Sequence, residues 1–141
     1  MRRNYFRCLF AKIRLDYVFK IKVRVCKIGG VLIISAQVIA IDFDGTLCEN
    51  KYPAIGKPNA WIIEFVKQEK EKGNQFILWT CREGQLLEEA VAWCKQQGVT
   101  FDAVNANIPE RVARFGSDPR KVGADLYIDD RAIGVFWKTG G

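Results

Sequence analysis

The chain has 141 residues, nearly half of them hydrophobic, which suits one folded domain and excludes disorder throughout. The net charge of +6 is concentrated: residues 1–37 hold nine of the 22 Lys/Arg against one acid, Asp16, and the remaining 104 residues carry 13 basic and 15 acidic groups. There is no histidine, which excludes Ser-His-Asp, Cys-His and His-metal chemistry, and the five cysteines form no CxxC and no paired spacing.

Residues 2–28 mix basic residues with aromatics. Phe6, Phe10, Ile13 and Tyr17 fall near helical spacing, and Lys20 to Val25 alternates like an exposed strand. Charges recur too often for a membrane span, and a signal-peptide pattern is missing. A basic arm for nucleic acid or an anionic membrane is one reading. The favoured readings are a mobile extension without a role, or residues upstream of a native start near Val31 or Leu32. Gly29-Gly30 then marks the boundary between an extension over residues 1–30 and a domain over 31–141.

From there the expected elements alternate. Val31 to Ile34 leads in, and Val38 to Phe43 is a first strand, apolar without a break and so buried on both faces. Leu47 to Pro58, with Pro53, Gly56 and Pro58, reads as a loop over the strand tip. Asn59 caps a helix from Ala60 to about Lys72, with Trp61, Ile62, Phe65 and Val66 on one side and Gly73 as its stop. Gln75 to Trp79 is a second strand, Gln85 to Gln97 a second helix ending at Gly98, and Phe101 to Val104 a third strand. A short helix follows Pro109. Ala124 to Ile128 is a fourth strand, and Val135 to Trp137 a short fifth. This rhythm predicts an α/β fold, a parallel sheet with helices on both faces. Trp61, Trp93 and Trp137 are expected in the core or an interface. Unpaired thiols point to a reducing cytoplasm.

Ligands of such sheets sit at the carboxyl ends of the strands. Those ends carry Asp42 and Asp44, then Thr80, then Asp129 and Asp130, with Lys121 shortly before the fourth strand. Like charges at about 4 Å repel by on the order of 4 kcal/mol at an effective dielectric of 20. A divalent cation offsets that, and an all-oxygen carboxylate site suits Mg²⁺. Thr80 and Lys121 can then donate to a phosphate dianion, so the set fits phosphoryl transfer. Cys48 and Cys81 lie nearby, but nothing beside them lowers a thiol pKa.

The ordered set Asp42-Phe43-Asp44-Gly45-Thr46, Thr80, Lys121 and Asp129-Asp130, spread over residues 38–131, resembles the haloacid dehalogenase (HAD) superfamily, and its small capless phosphatases in particular. The resemblance implies a three-layer Rossmann-like domain. It makes Asp42 the nucleophile that forms an aspartyl-phosphate and Asp44 the general acid and then base. Thr80 and Lys121 would hold the phosphoryl group. Mg²⁺ would be held by Asp42, the Asp44 backbone carbonyl, Asp129, and Asp130 directly or through water.

Only 33 residues separate Thr46 from Thr80, and 40 separate Thr80 from Lys121, which leaves no room for an inserted cap of ~50 residues. An open site suits large phosphorylated substrates unless a second subunit covers it. Arg82, Asn105, Asn107 and Arg111 are the candidate substrate contacts. The rival readings are a nucleic-acid end phosphatase using the basic arm, and a non-catalytic module of the same fold.

Overall fold

A computed structural model describes residues 25–28, 31–34 and 36–132, and the chain divides into two units, Met1–Ser35 and Ala36–Gly141. In the first, β1 (Val25–Ile28) pairs antiparallel with β2 (Val31–Ile34). The stretch expected as a lead-in to the sheet is therefore half of a separate two-stranded pairing. Most of the basic extension, and the short strand expected over Val135–Trp137, lie outside the described residues.

The second unit is built on a four-stranded parallel sheet. Its strands are β3 (Val38–Ile41), β6 (Gln75–Leu78), β7 (Ala103–Val104) and β8 (Leu126–Ile128), in the order β7-β6-β3-β8. β3 is central, and all four of its residues are buried. An uninterrupted apolar run with a covered sheet on both sides explains the match between sequence and position. Val38, Ala40 and Ile77 pack with Ile108 and Val122 on one face. Ile39, Ile41, Phe76 and Leu78 alternate onto the other and are equally buried.

Three helices connect the strands: α1 (Ala60–Glu71), α2 (Gly84–Gln96) and α3 (Pro109–Phe115). α1 buries Ile62, Ile63, Phe65 and Val66, but Trp61, expected on that face, is 48% exposed. Gly73 and Gly98 end α1 and α2 with positive φ. In each case the glycine N–H reaches back two residues before the cap (Lys70 and Lys95), and the next N–H reaches the carbonyl before that (Glu69 and Cys94). That double bond pattern needs a left-handed residue, which glycine supplies without steric cost.

Two local expectations are corrected. Residues 47–58 are not a plain loop, since β4 (Cys48–Lys51) and β5 (Ala54–Pro58) form an antiparallel hairpin with an irregular register. Asn59 precedes α1, but its side chain does not cap the helix; its Nδ2 donates to the Thr46 carbonyl at 3.0 Å and ties the helix start to the turn after β3. Among the described residues, no helix is long and apolar enough to cross a membrane.

Candidate functional site

Sheet register alone assembles the site. Ile41 is level with Leu78 on one side and Ile128 on the other. The ladder continues one step past the strands, where Asp42 N donates to Ile128 O and Trp79 N donates to Ile41 O. Neighbouring strands lie ~4.8 Å apart, so Asp42 and Asp129, just after their strands, and Thr80, one step beyond Trp79, come out at one edge.

The turn after β3 is wound around one acceptor. The Phe43 carbonyl receives the N–H groups of Thr46, Leu47 and Cys48. Gly45 sits in this turn at φ +91°, and a Cβ there would collide with the Asp130 carboxylate. The glycine therefore serves a close approach as well as a turn. The Thr46 hydroxyl links two acids: it donates to Asp42 Oδ2 at 3.3 Å and accepts the Asp130 N–H at 3.1 Å.

One carboxylate oxygen each from Asp42, Asp129 and Asp130 lies within 4.8 Å of the other two. Asp42 is half-buried, Asp129 and Asp130 exposed. Burial, and then the negative charge of Asp129 and Asp130, push the Asp42 carboxyl up to about 6, against the lowering pull of the Phe43 backbone N–H and the Thr46 hydroxyl. The three oxygens suit a hard cation, for which ligands across an octahedron of ~2.1 Å radius stand about 4.2 Å apart.

These acids open into a cleft of about 350 Å³ lined also by Asp44, Asn50, Tyr52, Thr80, Cys81 and Arg131. Thr80 is oriented by its neighbours. Its N–H donates to Asn105 Oδ1 at 2.8 Å, and its hydroxyl oxygen accepts the Arg82 N–H at 3.2 Å, which leaves the hydroxyl proton to donate elsewhere. Asp44 meets Arg82 in a two-pronged ion pair, Nε to Oδ2 at 2.8 Å and Nη2 to Oδ1 at 2.7 Å.

The other sequence candidates are engaged within the protein. Arg82, read as a substrate contact, has a fully buried side chain. Asn105 holds Thr80 and also donates to the Arg82 carbonyl at 3.4 Å. Asn107 is buried and staples a turn: its Nδ2 donates to Asp118 Oδ1 at 2.6 Å, and its Oδ1 accepts the Gly123 N–H at 2.6 Å. The Asn107 side-chain and backbone N–H groups, both donating to Asp118 Oδ1, pull that carboxyl below its usual range. Arg111 pairs with Asp125 at 3.2 Å. Lys121, on the turn that Asn107 staples, sits 5.7 Å from the centre of the Tyr127 ring and does not line the cleft.

Sequence reasoning missed Asn50, Tyr52 and Arg131 as cleft residues. The first two come from the hairpin, whose polar strand residues carry no alternation to betray it. Arg131 follows the paired acids directly, which was its only signal. Burial pushes the Cys48 thiol up, and pushes the Cys94 thiol up to about 12, so neither supplies a ready thiolate.

Fold and cleft together define an α/β protein with an acidic pocket at the carboxyl edge of a parallel sheet. No family model matches the chain, and no curated protein does. A solved structure described as the conserved protein coded by a locus from Bacteroides thetaiotaomicron is similar to it, with 43% identity and a TM-score of 0.64. The match covers 72% of this chain and 82% of that one, so the chain belongs to the family of that conserved protein.

Proposed function

We propose that this chain is a Mg²⁺-dependent phosphomonoesterase of the HAD type, acting through an aspartyl-phosphate on a phosphorylated substrate. The observation that carries the reading is the meeting of Asp42, Asp129 and Asp130 in one cleft with Asp44 and Thr80. On this reading the sheet is the middle of a three-layer Rossmann-like domain with helices on both faces and no cap. A second copy of the chain could cover its open site. The free thiols Cys48, Cys81 and Cys94 fit a reducing compartment such as the cytoplasm.

Asp42, Asp129 and Asp130, with the Asp44 backbone carbonyl, would hold the Mg²⁺, whose charge offsets carboxylate repulsion and draws negative charge from the phosphoryl oxygens. An Asp42 oxygen attacks phosphorus as the bond to the leaving oxygen breaks, and Asp44 gives its proton to that oxygen. Water then attacks the aspartyl-phosphate and passes its proton back to Asp44, releasing phosphate and a free Asp42 carboxylate. Thr80 donates to a phosphoryl oxygen. Lys121, which rests near the Tyr127 ring outside the cleft lining, would have to leave that ring to donate there too.

The test is hydrolysis of p-nitrophenyl phosphate, with and without Mg²⁺, by the wild type and by Asp42→Asn. We expect activity that requires Mg²⁺ and falls by at least about 10³-fold in the variant. Equal rates in the two proteins would remove the nucleophile.

A further inference from the structure

Arg82 is the largest fully buried side chain among the described residues, and no step above uses it. A buried guanidinium is costly unless its charge and donors are met. Here they are met by only two parts of the chain. Nε and Nη2 serve the two oxygens of Asp44, while Nη1 donates to Pro53 O at 2.9 Å and Nη2 also to Ala54 O at 2.8 Å. The guanidinium carbon lies 4.9 Å from the centre of the Phe43 ring and 5.3 Å from that of Tyr52. Packing alone does not call for this arrangement, because an apolar side chain of similar volume fills a core at least as well. Only a planar fork can set both oxygens of a carboxylate while fastening two backbone carbonyls.

We propose that Arg82 is a positioning residue that fixes the Asp44 carboxylate and clamps it to the Pro53–Ala54 turn of the β4–β5 hairpin. The acid–base group and the hairpin wall of the cleft then move as one body. Asn50 and Tyr52 on that wall line the cleft, so a leaving group seated against them is seated at a fixed distance from the proton it needs. The fork takes one lone pair on each Asp44 oxygen, and a second remains on each to carry the proton. The catalytic half of this inference rests on the phosphatase reading; the mechanical half does not.

Two measurements test it. In Arg82→Lys the charge stays and the fork is lost. With an alkyl phosphate, whose leaving oxygen needs a proton, kcat/KM should fall by about 30-fold or more, and with p-nitrophenyl phosphate, whose leaving group needs none, by less than about threefold. Equal losses on both substrates would overturn the positioning of Asp44. In Asp44→Asn, amide hydrogen exchange across residues 48–58 should speed up about tenfold, because the clamp has lost one end. Unchanged protection would overturn the clamp. The exchange measurement needs no activity and no Arg82 variant. It judges the clamp even if Arg82→Lys does not fold, or if the wild type hydrolyses neither substrate and the phosphatase reading alone fails.

Discussion

Asp42 carries two opposed demands. It must be ionised to attack or to hold a cation, yet burial and two neighbouring acids push its carboxyl up to about 6. A raised folded-state value means that the folded chain binds more protons than the unfolded one between its ordinary value of 3.8 and about 6. Asp42 therefore favours folding most below pH 3.8, and that contribution is lost as pH rises through 6. Asp42→Asn should raise the stability of the metal-free protein at pH 7 by about 1 kcal/mol, after discounting for solvent screening. It should also flatten stability against pH between 4 and 6. Urea unfolding across that range measures both, and a variant less stable than wild type at pH 7 would contradict the account. Gly45 works by what it lacks. Gly45→Ala should strain a φ of +91° and displace Asp130, weakening Mg²⁺ binding about tenfold by calorimetry.

Elements matter here through what their ends carry. α1 and α2 are closed by the same glycine-terminated turn, and each returns the chain to the start of β6 or to the approach to β7. The turn over residues 118–123 is different, because it has no regular structure and is held by side chains: the Asn107 amide, the Tyr127 hydroxyl on the Val122 carbonyl, and the buried Val122 itself. Asn107 bonds Asp118, Pro119 and Gly123 from a buried position. Asn107→Ala would leave buried groups unpaired and should cost about 2–3 kcal/mol in urea unfolding. A loss under about 0.5 kcal/mol would show that the turn is held elsewhere. Lys121 rides on this turn, so the same variant should also weaken any phosphate contact it makes.

Across the whole molecule, Asp42 lies far along the chain from the adjacent pair Asp129 and Asp130, so a cation held by all three binds only the folded state. Mg²⁺ at about 100 times its dissociation constant should therefore add about 2.7 kcal/mol of stability. The gain should be large at pH 7.5 and small at pH 5, where Asp42 is protonated and offers a poorer ligand. Thermal melts with and without Mg²⁺ at the two pH values check this; an equal shift at both would mean the ion binds elsewhere.

The strands of the sheet and its acidic edge were legible because both are local signals repeated along the chain, whereas the spatial order of the strands came only with the structure. Val38 to Ile41 is apolar without interruption, Asp42 and Asp129-Asp130 directly follow apolar runs, and register does the rest. The hairpin was not legible, since Cys48-Glu49-Asn50-Lys51 shows no alternation and the groups that bond it, Arg82 and the Phe43 carbonyl, lie outside the hairpin's own sequence. Arg82 marks the limit most clearly: beside Thr80 it reads as a substrate contact, and only folding brings it to a carboxylate 38 residues away. Sequence by itself determined which residues reach the sheet edge, because alternation and burial act over a few positions. Tertiary structure alone decided which of them face a ligand and which are spent on one another, because charge pairing acts across space and ignores chain distance.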